Sequence, residues 1–174
     1  MPQYAIPPKA VSDVFARMMR KHHAPLVSAE ATIRLLFAKG DGDSHPVKAH
    51  GYPALAVCRV LSGKDRACNQ PDAEVVIDAG AWDKLTADQR DALADHELQH
   101  LEVAVDDAGK TKIDDYGRPV LRLRLHDHEI GLFTSIIERH GVAAPEAQSI
   151  RRLFGDAARQ LLLPFTEPEP VKTK

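Results

Sequence analysis

The sequence predicts an α+β fold in which a small antiparallel or mixed sheet packs against one central helix, with further helices flanking it. Three observations predict this. First, three apolar stretches, ATIRLLFA at residues 31–38, ALAVCRVL at 54–61 and EVVID at 74–78, have the length and turn-rich borders of strands. Second, a helical pattern opens at Thr86 and carries the most distinctive side chains of the chain. Third, 174 residues with 44% apolar and 28% charged content suffice for one core but not comfortably for two.

The elements follow in order. Val11, Val14, Phe15, Met18 and Met19 recur at three- and four-residue steps and give a first helix one apolar face. Lys21, His22 and His23 follow it, and Pro25 stops it. The strand at 31–38 leads into GDGDSHP, a turn or loop. The three strands lie so close in sequence that an antiparallel meander is the simplest arrangement. Thr86 reads as an N-cap with Gln89 as its capping-box partner, and the helix is expected to run to about residue 103. DDYGRP at 114–119 is a turn, and VLRLRL at 120–125 alternates like a strand with Leu on one face and Arg on the other. Helices are expected at 127–139 and 145–162. A single domain over 1–163 then gives way to the polar, Pro-rich tail 164–174, read as flexible.

Composition excludes several classes. No apolar run approaches the roughly 20 residues that cross a bilayer, so no membrane partner is expected. The first ten residues lack the basic segment and apolar stretch of a secretion signal. A net charge of −2 supplies no global positive field for nucleic acid or anionic lipid. Cys58 and Cys68 fit a reducing cytoplasm as buried small groups or free thiols. Residues 83–115 hold ten acids against four Lys or Arg, a local excess suited to a solvated face or to a nearby cation.

The motif that carries chemistry is HELQH at residues 96–100, inside a helix predicted on independent grounds. Two residues four apart on a helix project from nearly the same face, so His96 and His100 can grip one ion from one side. Zn²⁺ accepts neutral imidazole nitrogen, and a catalytic site uses three protein ligands and keeps one position open. Glu97 sits beside the first ligand, where its carboxylate can take a proton from a zinc-bound water acidified towards a pKa of about 7. The third ligand is sought in HDHE at 126–129: His126 is the first choice and Glu129 the alternative. Asp127 is the candidate N-cap of the helix that follows. Tyr116 and His128 are candidates for stabilising an oxyanion, and Asp95 and Asp127 for orienting the imidazoles. His22, His23, His45, His50 and His140 read as ordinary loop and helix-end residues.

DHELQHL, the DDYGRP turn, the VLRLRLHDHE junction and the following IIERHG together resemble the phage metallopeptidases, small zincin-like proteins of phages and prophages. The likeness extends upstream through EVVIDAGAWDKLTADQRDAL to KHHAPL, covering about residues 10–141. Members commonly read H-D-x-E-E-F at the junction. Here HDHEIGLF keeps His126, Asp127 and Glu129, while Ile130 replaces the second acid and the aromatic comes at Phe133. The layout is also similar to SprT-like zinc proteases, whose third ligand is a His opening an H-G-x-x-F motif; this ranks His126 first. ImmA/IrrE-type peptidases, with a Glu ligand, favour Glu129.

The resemblance implies a compact zincin-like fold, a Zn²⁺ cofactor, a protein or peptide substrate and a place in the bacterial host cytoplasm. The competing expectation is a non-catalytic zinc-binding protein, acting as a phage or prophage regulator or as a DNA-associated partner-binding module. Nucleic acid enters only by analogy with the SprT-like proteases.

Overall fold

The computed structural model describes residues 2–41, 45–126, 134–143, 147 and 150–151. Its elements open with β1 (Gln3–Ala5), α1 (Lys9–His22), α2 (Ala24–Ser28) and β2 (Ile33–Lys39). A small hairpin, β3 (Lys48–Ala49) and β4 (Tyr52–Pro53), precedes β5 (Ala56–Val60), α3 (Gly63–Ala67) and β6 (Ala73–Asp78). Then come α4 (Ala79–Lys84), α5 (Ala87–Gln99), β7 (Leu101–Val103), β8 (Leu121–Leu123) and α6 (Thr134–His140). The chain divides into two compact units, Met1–Leu125 and His126–Lys174. Among the described residues of the second are α6 and a 3-10 turn at Gly141–Ala143. The expected helix at 145–162 and the tail at 164–174 fall largely or wholly outside the described residues.

The first unit is α+β, as the sequence predicts, but its main sheet is mixed rather than a meander. The strand order is β1-β2-β6-β5, with β6 parallel to β2 and antiparallel to β5. The physical reason lies in β6. Ala73, Val75 and Ile77 are fully buried on one face, and Glu74 and Asp78 are buried on the other. A strand that buries both faces belongs in the centre, so β6 inserts between its two predecessors. The short β1 completes one edge through Tyr4 opposite Ala38.

One face of the sheet carries the core. Val75, Ile77, Phe37 and Cys58 meet Val11, Phe15 and Met18 of α1, Trp82 of α4, and Ala94 and Leu98 of α5. Phe15 and Trp82 stack with centroids 6.4 Å apart. This core fixes α5. Its start is the capping box read from sequence: Gln89 N–H donates to Thr86 Oγ1 at 3.3 Å and Thr86 N–H to Gln89 Oε1 at 2.9 Å. Its end differs from the expectation. The helix stops at Gln99, with His100 as C-cap, and residues 101–103 form β7. Leu101 and Val103 fit a helical stripe and a two-residue alternation equally well. Pairing with Leu123 and Leu121 of β8 decides for the strand.

Charge fixes where β8 begins. Asp72, 1% exposed, accepts hydrogen bonds from the Thr32 backbone N–H (2.8 Å) and hydroxyl (2.7 Å) at the start of β2. It also pairs with Arg118 at 2.8 Å and Arg66 at 3.3 Å. Arg66, itself buried on α3, donates to the Pro119 carbonyl at 2.8 Å and pairs with Asp114 at 2.9 Å. The DDYGRP turn is therefore tied to β2, β6 and α3. Within it Asp114 Oδ1 accepts from the N–H groups of Tyr116 and Arg118, and Gly117 takes φ +75°, where a side chain would strain the turn.

Candidate metal centre

The site is built on the C-terminal end of α5. At 3.6 residues per turn, His96 and His100 lie about 40° apart around the axis and Glu97 about 100° from His96. Leu98 points the opposite way into the core at 1% exposure, which turns the histidine stripe away from it. Although His100 lies just past the helix, its φ −69° and ψ −14° keep it on the helical path, so the i, i+4 relation holds. The two rings meet edge to face with centroids 5.0 Å apart.

A second segment converges on this end. Arg124 N–H donates to the His100 carbonyl at 2.8 Å, extending the β7–β8 ladder by one step. The His100 ring answers: its Nδ1 lies 2.8 Å from the Arg124 carbonyl oxygen. A carbonyl only accepts, so Nδ1 carries a proton, and in the neutral ring the lone pair is on Nε2. This is the arrangement by which metal-binding imidazoles are oriented. Two residues later, His126 follows Leu125, and one ligand nitrogen from each of His96, His100 and His126 lies within 4.8 Å of the others. Tetrahedral zinc with bonds of 2.0–2.1 Å spaces its ligands about 3.4 Å apart. His96 and His126 are exposed and His100 is half-buried. Three imidazoles, one of them fixed by a backbone carbonyl, are a donor set that fits Zn²⁺.

Glu97 is 4% exposed and lies against β5. Burial pushes its carboxyl up to about 7, and the backbone N–H of Cys58 pulls the other way. The register explains that N–H. Leu61 N–H bonds Asp72 and Asp78 N–H bonds Leu55, so the odd residues of β5 face β6. Cys58 therefore turns its backbone to the other edge. A carboxyl poised near neutrality can take a proton and return it. Cys58 itself is a buried thiol, pushed up to about 12 by burial and then by the charge of Glu97. Cys68 is a free, exposed thiol.

The remaining candidates separate. Asp95 bonds His23, with Nε2 and Oδ1 2.7 Å apart, and so staples α5 to the junction of α1 and α2. His23 stands at a helix end, as the sequence suggests, as C-cap of α1 and N-cap of α2, and is 7% exposed with its ring against Asp95. Tyr116 is exposed on the turn before β8, at the opposite end of that strand from His126. Glu129, Asp127 and His128 lie outside the described residues. Sequence reasoning missed the Arg124 carbonyl and the Cys58 N–H, because a backbone partner has no signature in the sequence. His23 had one: a histidine before Ala-Pro in KHHAPL, at a helix junction.

Compared with known proteins, the chain matches the family described as "Putative phage metallopeptidase" over residues 3–158, most of its length. No curated protein and no solved structure matches it significantly. No helix among the described residues is long and apolar enough to cross a membrane.

Proposed function

The chain belongs to the phage metallopeptidase family, and from that premise we propose that it is a zinc-dependent peptidase that hydrolyses peptide bonds of a protein substrate. His96, His100 and His126 hold the ion, and Glu97 is the general base. The observation that carries the reading is the convergence of three imidazole nitrogens within 4.8 Å next to a buried carboxyl.

Zinc in such a site supplies a Lewis acid for the substrate carbonyl and acidifies water. The chain's own residues do the rest. The Arg124 carbonyl holds His100 in one tautomer and one orientation. Glu97 takes the proton of the attacking water and then passes it to the departing amine, so one carboxyl serves both proton transfers. The Cys58 N–H steadies the carboxylate between them. Leu98 and the core behind it keep the helix from rolling.

Dye-labelled casein tests this. Hydrolysis is expected to stop with 1,10-phenanthroline and to return on addition of Zn²⁺ but not of Ca²⁺ or Mg²⁺. Hydrolysis that persists undiminished through chelation would contradict the reading.

A further inference from the structure

β7 belongs to a two-stranded sheet, so only one of its edges meets a strand among the described residues. The bonds Arg124 N–H to His100 and Ala104 N–H to the Val120 carbonyl place the even residues of β7 toward β8. By the alternation of an antiparallel ladder, Leu101 and Val103 turn their backbone N–H and C=O outward. That outward edge borders a groove of about 600 Å³. Pro25 and Leu26 of α2 form one wall and Val103 and Val105 the other. At one end stand Gln99 and Arg124, which adjoin His100 through the chain and through its hydrogen bonds. On the helix, Gln99 and Glu97 flank the histidine stripe on opposite sides. The groove therefore runs away from the metal-binding end of α5 on the side opposite the general base.

Resting on the metallopeptidase reading, we infer that this groove receives the substrate chain on one side of the scissile bond. The occupant is an extended peptide that hydrogen-bonds the outward backbone of Val103 and lays an aliphatic side chain between Pro25 and Val105. A strand edge that meets no other strand among the described residues offers the main-chain bonds and the apolar walls select the side chain, the division of labour of peptide recognition by strand addition. The volume lies within the range of ligand-binding clefts. The exposed Val105, at 51%, is left on the surface by folding alone, and a bound aliphatic side chain would cover it.

The experiment uses the full chain as the zinc-loaded Glu97→Gln protein, isotopically labelled, so that a bound peptide survives. The probes are an acetylated, amidated pentapeptide Thr-Val-Leu-Val-Thr and its counterpart with Asp in place of Leu. The expected result is amide shifts confined to α2 and β7, led by Val103, with the Leu peptide binding about tenfold more tightly than the Asp peptide. Val105→Lys, a change at a half-exposed position that leaves the fold intact, is expected to weaken the Leu peptide by a similar factor. Equal binding of both peptides, no binding, or shifts that bypass β7 would overturn the inference. Zinc content and casein hydrolysis of the unaltered protein are read in parallel. Hydrolysis with β7 unmoved removes the groove and leaves the peptidase. Peptide shifts at β7 in a protein without zinc or hydrolysis remove the peptidase and leave a peptide-binding groove.

Discussion

Replacing Glu97 by Gln is expected to lower casein hydrolysis by about 10²- to 10⁴-fold while leaving zinc content unchanged. Gln keeps the length of the side chain and its ability to accept from the Cys58 N–H, but it cannot take a proton. The position is already paid for structurally: Glu97 is 4% exposed in a helix anchored by Ala94 and Leu98, so the isosteric change leaves the packing alone. The loss should fall on kcat with KM little changed, because the missing interaction exists only in the transition state. Activity within a few-fold of the unaltered protein would remove Glu97 as the base and favour a zinc site without turnover.

Asp72→Ala is expected to lower folding stability by about 3–5 kcal/mol in urea unfolding, the usual cost of removing one partner from a buried ion pair. At 1% exposure Asp72 faces Arg66 and Arg118 and accepts two bonds from Thr32. Its loss strands the Arg66 guanidinium, 6% exposed, with Asp114 as its remaining carboxylate partner. Asp72→Asn is expected to cost less, because an amide oxygen still accepts from Thr32. The effect reaches further than the cluster. Isolated two-stranded sheets are marginal in water, and β7–β8 is one, held at the start of β8 by Arg66 and Arg118 and at its end by the two His100–Arg124 bonds. A loss below about 1 kcal/mol, the scale of an exposed pair, would show that the network carries none of this load.

Much of the site was legible because its signals are local. Thr86 and Gln89 announced the helix start, and His96 to His100 announced a chelating face by spacing alone. Likeness to SprT-like proteases ranks His126 above Glu129; a ligand nitrogen of His126 lies within 4.8 Å of those of His96 and His100, while Glu129 is outside the described residues. What escaped the sequence was what depends on distant partners. The helix end was misplaced because Leu101 and Val103 satisfy both periods, and only β8 decides between them. The central place of β6 follows from two-faced burial, whereas sequence order favours a meander. The Arg66–Asp72–Arg118 cluster joins residues up to 52 positions apart that look like any surface charges. The strand Gln3–Ala5 is too short to carry a pattern.

The most direct test of the account is metal content by elemental mass spectrometry on the unaltered protein, His126→Ala and Glu129→Ala. The account predicts about one zinc per chain in the unaltered protein and in Glu129→Ala, and a near-complete loss in His126→Ala. Loss in Glu129→Ala alone would move the third ligand to that carboxylate. An unaltered protein that holds no zinc, even when zinc is supplied during refolding, would contradict the metal centre itself.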